Sequence, residues 1–111
     1  PGTFNGDYTL YVAKGILTER VKVALRSSSE WADYVFADDY QLMPLQEVEA
    51  FVASNNHLPG VPSAEEVHAS GIDVATMDAK LLEKIEELTL YIIEMEKQIK
   101  DLQDQVQNNK N

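Results

Sequence analysis

The sequence predicts an α+β fold in which an N-terminal β-hairpin and a small helical, aromatic core precede a long C-terminal helix that forms a parallel coiled coil. Three patterns predict it: alternating apolar residues near the start, helix-capping residues in the middle, and an apolar heptad repeat towards the end. We expect three parts: a shaft-like hairpin segment in residues 1–30, a small α-rich capping domain in residues 31–76, and a coiled-coil helix in residues 77–111.

The first part carries the alternation of apolar and polar side chains that is typical of half-buried strands. One run covers residues 8–12 and a second covers residues 17–26, with a turn at residues 13–15. An isolated two-stranded hairpin is at best marginally stable. We therefore expect the hairpin to lean on other strands or on neighbouring chains.

An aromatic and acidic segment follows in residues 31–40. Aromatic rings bury the most apolar area per residue, so they are candidates for the domain core or, if exposed, for a binding face: Trp31, Tyr34, Phe36 and Tyr40. The acids Asp33, Asp38 and Asp39 lack the order of a recognised calcium loop. We interpret them as turn and capping residues and predict no metal site.

Two short helices are predicted next. The first opens at Pro44, which is tolerated where its missing N–H costs nothing, and ends at Asn56. The second starts with a capping box made by Ser63 and Glu66 and stops at Gly71, a residue suited to a positive φ.

The long helix is predicted to begin with Thr76 or Asp78 as its N-cap. Its apolar residues repeat with alternating spacings of four and three, which puts Ile and Val at heptad position a and Leu and Met at position d. The predicted oligomer interface consists of Leu81, Ile85, Leu88, Ile92, Met95, Ile99, Leu102 and Val106. One helix cannot bury this row alone, so the sequence predicts self-association.

Composition excludes several function classes. A net charge of −10 and a pI near 4.4 argue against nucleic acid and against an anionic membrane surface as partners. The chain has no cysteine, and no apolar run approaches the length of a membrane span. Since it begins at Pro1 rather than at Met, we expect it to be part of a longer protein.

No constellation of residues favours catalysis. His57 and His68 lack a nearby ligand pattern, the serines at 27–29 lack a nucleophile elbow, and no Gly-rich phosphate loop is present. The pair Glu86-Glu87 is interpreted as part of a solvated helix face. We predict that the chain is not an enzyme and has no catalytic residue, cofactor or metal.

A set of motifs in fixed order covers more than half of the chain: WADYVF at 31–36, DYxLMPLxEVE at 39–49, HLPGVPSAxEV at 57–67, GID at 71–73 and MxAKLLEKIEELTLY at 77–91. The set resembles a C-terminal assembly region, at the tip of tail fibres and surface proteins, that is shared by many bacterial and phage fibre-like proteins. The resemblance implies an assembly domain on an elongated trimeric shaft, located outside the cell, at the cell surface or in a virion or injection-particle fibre.

The chain resembles more distantly the endosialidase-type intramolecular chaperones, which end fibres with a small domain and a coiled coil. Those proteins cleave themselves at a Ser-Asp-x-x-Leu-Lys-like motif, whereas residues 26–30 here read Arg-Ser-Ser-Ser-Glu. A self-cleaving chaperone, and a tip module that binds a protein or glycan receptor through the aromatic and acidic face, are the alternatives to a purely structural role.

The number of chains in the oligomer is predicted from the heptad residues and from the resemblance. Ile at a with Leu at d favours parallel dimers, but few opposite charges flank the row and apolar area spreads beyond it. With the resemblance, this favours a parallel homotrimer, and a dimer is the alternative. We expect residues 77–93 to contact both partner helices and the domain, residues 94–106 to contact partner helices only, and residues 107–111 to fray.

Overall fold

Three helices form the regular structure of the chain, which a computed structural model describes for residues 6–109. Helix α1 spans Leu45–Asn55, α2 spans Ala64–Ser70 and α3 spans Val74–Asn109, and two 3₁₀ turns, Ser28–Glu30 and Tyr34–Phe36, precede them. The molecule measures 73 × 31 × 29 Å. It is elongated because α3, with 36 residues, runs for about 54 Å at 1.5 Å per residue.

The predicted α+β class is wrong, because the described residues form helices and irregular chain but no strand. Residues 8–12 and 17–26 do not pair into a hairpin, and their side chains are exposed. Alternating apolar residues can bury one face of a strand only where another strand or an apolar surface covers that face. Among the described residues no further strand pairs with these segments and no element covers their apolar side chains, and a lone hairpin gains too little without such cover.

The first and last predicted segments extend beyond the residues that the structure describes. Residues 1–5 of the expected shaft-like segment, and residues 110 and 111 of the expected frayed end, lie outside the described residues.

Helix α1 ends where the sequence predicts. Asn56 adopts φ of +61° and ψ of +23° after the last helical residue, and its N–H donates to the carbonyl of Val52 at 2.8 Å. Asn tolerates this left-handed conformation better than most residues. Pro44 is the N-cap rather than the first helical residue.

The capping box of α2 is confirmed. The Ser63 Oγ accepts the Glu66 N–H at 3.2 Å, and the Glu66 carboxylate accepts the Ser63 N–H at 3.1 Å. Gly71 ends the helix with φ of +72° and donates its N–H to the carbonyl of Val67 at 2.7 Å. These contacts satisfy backbone groups that have no partner inside a seven-residue helix.

The predicted N-cap of α3 is wrong by a few residues. The helix begins at Val74, and the Asp73 side chain accepts the Thr76 N–H at 2.9 Å. That hydrogen bond lowers the pKa of Asp73 below its ordinary value. Asp is among the preferred N-cap residues. With Asp73 as the N-cap, the helix gains residues 74–76 relative to the predicted start.

Replacing Ser63 by Ala should remove one arm of the capping box and lower the free energy of unfolding by about 1 kcal/mol. The measurement is urea unfolding followed by circular dichroism at a fixed protein concentration. Ser54→Ala, at an exposed position inside α1, is the matched control and should be neutral or slightly stabilising, since Ala has the higher helix propensity. Equal effects of the two substitutions would contradict the capping role.

Candidate functional site

Helix α3 has an apolar face that its own domain leaves uncovered. We call this face the seam, and it consists of the eight predicted interface residues: Leu81, Ile85, Leu88, Ile92, Met95, Ile99, Leu102 and Val106. Each is between 43% and 59% exposed. Because positions a and d lie on one side of a helix, these side chains form a continuous stripe about 38 Å long. Contiguous exposed apolar surface of this size is typical of an interaction site.

The opposite face of α3 is covered by the domain. The buried residues of α3 are Ala79, Glu83 and Glu86, none of which lies at position a or d. The 3₁₀ turn Tyr34–Phe36 packs on this face, and its Val35 is only 1% exposed. Among the described residues, the buried apolar side chains are Ala32, Val35 and Ala79, so the domain has a very small core.

Hydrogen bonds to three carboxylates of α3 hold the domain on the helix. We call these carboxylates the carboxylate row: Glu83, Glu86 and Glu87. The Tyr34 hydroxyl donates to Glu83 at 2.5 Å, the Asp33 N–H donates to Glu86 at 3.0 Å, and the Tyr40 hydroxyl donates to Glu87. Each donor comes from the aromatic segment, so the row fixes where that segment lies along the helix.

Two lysines balance the negative charge of the row. The Lys80 ammonium lies 3.0 Å from Glu83, and the Lys84 ammonium lies 3.5 Å from Glu83 and 2.9 Å from Glu87. Within the described residues, no buried side-chain nitrogen or oxygen lacks a hydrogen-bond partner. The row is therefore a satisfied polar contact, which is the condition for burying charges at tolerable cost.

The contacts shift the pKa values of the groups involved. The hydrogen bond to Glu83, together with burial and the negative charge of that carboxylate, raises the pKa of Tyr34 to about 12. Burial and the hydrogen bond to Glu87 raise the pKa of Tyr40 as well. Both phenols are thereby kept as donors.

The carboxylates of the row shift in different directions. Burial by itself raises the pKa of Glu83, but the hydrogen bond from Tyr34 and the charges of Lys80 and Lys84 outweigh burial and lower it. Burial raises the pKa of Glu86, only partly offset by the Asp33 amide. Ionisation of Glu83 therefore favours docking.

The covered part of α3 ends near Tyr91, whose hydroxyl donates to the Met43 carbonyl at 2.5 Å. Beyond Tyr91, every described side chain of α3 is exposed. This agrees with the predicted division of the helix near residue 93 into a part that carries the domain and a part that does not.

The four aromatic candidates lie around the small core rather than inside it. Trp31 is 38% exposed, Tyr34 42% and Phe36 53%, and Tyr40 is half-buried. The most buried side chain of this segment is Val35. Tyr34 and Tyr40 lie beside it, with their hydroxyls donating to the carboxylate row. Because these rings are partly exposed, they could contact a binding partner, and that role stays a prediction.

Other candidate residues take structural positions. The Ser27 Oγ accepts the Ser29 N–H at the start of a 3₁₀ turn, and the His57 ring packs edge-on against Phe51 with ring centroids 5.3 Å apart. In the part of the chain that the structure describes, no three His, Cys, Asp or Glu residues are placed to hold a metal. Residues 6–109 contain no helix long and apolar enough to span a membrane.

The carboxylate row is what sequence reasoning missed. The predicted solvated face for Glu86-Glu87 is wrong, since Glu86 is 5% exposed and Glu87 is half-buried. One signal was present: between residues 79 and 91, apolar side chains also occur off the seam, at Ala79, Leu82, Leu90 and Tyr91. That surplus indicates a covered second face, but it does not identify the tyrosines that cover it.

Comparison with protein-family models, with curated proteins and with solved structures finds no match for this chain. The resemblance to fibre-tip assembly regions therefore stays a prediction.

The pKa of Tyr34 offers a test of the row. Glu83→Gln removes the negative charge but keeps an acceptor, so the pKa of Tyr34 should fall from about 12 towards the value of about 10 of an unperturbed tyrosine. NMR titration of ring-labelled tyrosine measures it. Since the folded pKa is raised, the Tyr34 contribution to docking is complete below about pH 10 and is lost as the pH rises towards 12.

Glu94→Gln is the matched control for this titration, because Glu94 is exposed beyond the covered part of α3. It should leave the pKa of Tyr34 unchanged. An equal fall in both variants would mean that general negative charge, rather than the contact with Glu83, raises the pKa.

Proposed function

We propose that this chain is a homo-oligomerisation module, in which the seams of three parallel α3 helices pack together and set the register of the chains. The observation that carries the proposal is the placement of the domain. It is docked on the face of α3 opposite the seam, so all eight seam residues remain exposed and accessible to partner helices.

Energetics support self-association. Fully burying a Leu, Ile, Val or Met side chain contributes about 1.5–3 kcal/mol, so each half-exposed seam residue stands to contribute roughly 1 kcal/mol. Association costs about 4–15 kcal/mol in lost freedom. Two or three such residues would not offset that cost, whereas a continuous row of eight in each chain is of the required size.

The seam also has a defined start. One heptad before Ile85, position a is occupied by the exposed Asp78. A carboxylate at this position resists burial against copies of itself. The packed part of the proposed coiled coil therefore begins at Leu81 and runs past the domain to Val106.

The parent protein is proposed from the resemblance alone. A module that aligns three chains fits the C-terminal end of a fibre or surface protein, whose chains need a common register. A dimer is the alternative order, as favoured by Ile at a and Leu at d.

A receptor-binding or glycan-binding tip is the second candidate function. It is favoured by the exposure of Trp31 and Phe36, at 38% and 53%. The two roles are compatible, because these rings do not belong to the seam. Association that persists in Trp31→Ala, with loss of binding to a receptor or glycan, would assign the rings to recognition.

Neighbouring isoleucines provide a matched test of the seam. Ile92 lies at position a and Ile93 at position b, and they are 58% and 43% exposed. Ile92→Asp should weaken association at least about a hundredfold, because it places carboxylates where the helices meet. Ile93→Asp should leave association nearly unchanged. Size-exclusion chromatography with light scattering measures both, and thermal unfolding reports whether the fold melts with the assembly.

Combining Ile85→Asp with Ile92→Asp extends the test to two layers of the seam and should abolish association altogether. Equal behaviour of Ile92→Asp and Ile93→Asp would contradict the heptad register.

A further inference from the structure

A groove with a volume of about 290 Å³ lies beside the seam, between α3 and the loop that joins α1 to α2. Its apolar lining comes from Met43, Val48, Leu58, Pro59, Leu88 and Tyr91. Leu58 and Leu88 are 46% and 56% exposed, so the chain by itself does not fill the groove.

The groove is continuous with the seam on one particular side. Leu88 is both a wall of the groove and a residue at position d. The other walls on α3 include Lys84 and Tyr91, which occupy position g in successive heptads. The loop that carries Leu58 therefore borders the g side of the helix.

The geometry of parallel coiled coils identifies what would face this side. Residues at position g of one helix lie against residues at position e of the next helix. The partner residue at position e lies five positions further along the chain than the g residue it faces, so Lys84, on the wall of the groove, faces Thr89 of a second copy. Thr89 donates its hydroxyl to the Ile85 carbonyl of its own helix at 2.9 Å, so its methyl group can enter an apolar groove without leaving a donor unsatisfied.

Charge does not oppose this fit. Lys84, on the rim of the groove, already pairs with Glu83 and Glu87 of its own helix. Thr89 is uncharged, and the next e residue, Glu96, faces Tyr91 at the far end of the groove, where its carboxylate can stay in solvent.

We propose that the groove is filled by the e side of α3, centred on Thr89, from a second copy of this chain. Each domain then clasps the helix of its neighbour, and the interface includes the loop at Leu58 as well as the seam. This inference rests on the proposed parallel assembly and adds a specific contact to it. It also couples docking of the domain to assembly, because one wall of the groove is the domain itself.

Cross-linking between differently labelled chains tests the contact. The natural chain has no cysteine, so introduced thiols are the only ones. Full-length Leu58→Cys and Thr89→Cys chains are refolded together and treated with a flexible bismaleimide. Mass spectrometry should find covalent heterodimers linked between positions 58 and 89. The control pairs Leu58→Cys with Lys97→Cys, which lies eight residues, about 12 Å, further along α3, and it should give several times less product.

A third variant separates the inference from the proposed function. Leu102→Cys, at position d of the seam, should link to itself in any parallel assembly in register. Self-linking at 102 without 58–89 heterodimers above the control would overturn the groove contact alone. Failure of both, with a single-chain mass in solution, would overturn the assembly and the contact together.

An independent substitution addresses the energetics. Leu58→Asp should weaken association about tenfold, since a half-exposed leucine that becomes buried between chains contributes on that order. Ile72→Asp is the control, because Ile72 is similarly exposed, at 51%, but does not line the groove. Equal association in the two variants would overturn the groove contact.

Discussion

Hydrogen bonds to the carboxylate row determine how this molecule is put together. The buried apolar core of the described chain consists of Ala32, Val35 and Ala79, which is too little to position a domain on a helix by itself. The directional contacts of Tyr34, Asp33 and Tyr40 with α3 supply the position instead. Buried polar contacts of this kind contribute more to a specific geometry than to net stability.

That geometry explains why the seam is free. The row lies on the side of α3 away from positions a and d, so docking of the domain and packing of partner helices do not compete for the same surface. Both depend on the same helix, however. A small domain docked by polar contacts gains stability from anything that orders α3, and ordering α3 by association is the central element of the proposed function.

The helical features that depend on neighbouring residues could be predicted from the sequence. The ends of α1 and α2 follow from Asn56, from the pair Ser63 and Glu66, and from Gly71, whose effects extend over one turn of chain. The apolar repeat of α3 is equally local, since it needs only the period of the helix. The start of α3 was misplaced because Asp73, Thr76 and Asp78 are all suitable caps and only the fold selects among them.

Features that depend on distant residues could not be predicted in the same way. The alternation in residues 8–26 predicts a strand face but not what covers it, and in the described chain these residues stay exposed. The burial of Glu86 depends on the amide of Asp33, 53 residues away. From sequence alone a carboxylate on a helix is expected to face solvent. The burial of Glu86 becomes evident only from its contact with the Asp33 amide.

Sedimentation equilibrium of the unmodified chain at micromolar concentration measures how many chains associate. We expect a mass three times the chain mass of 12.5 kDa. Twice that mass would retain self-association through the seam but contradict the trimer. A mass of 12.5 kDa across the concentration range would contradict self-association itself.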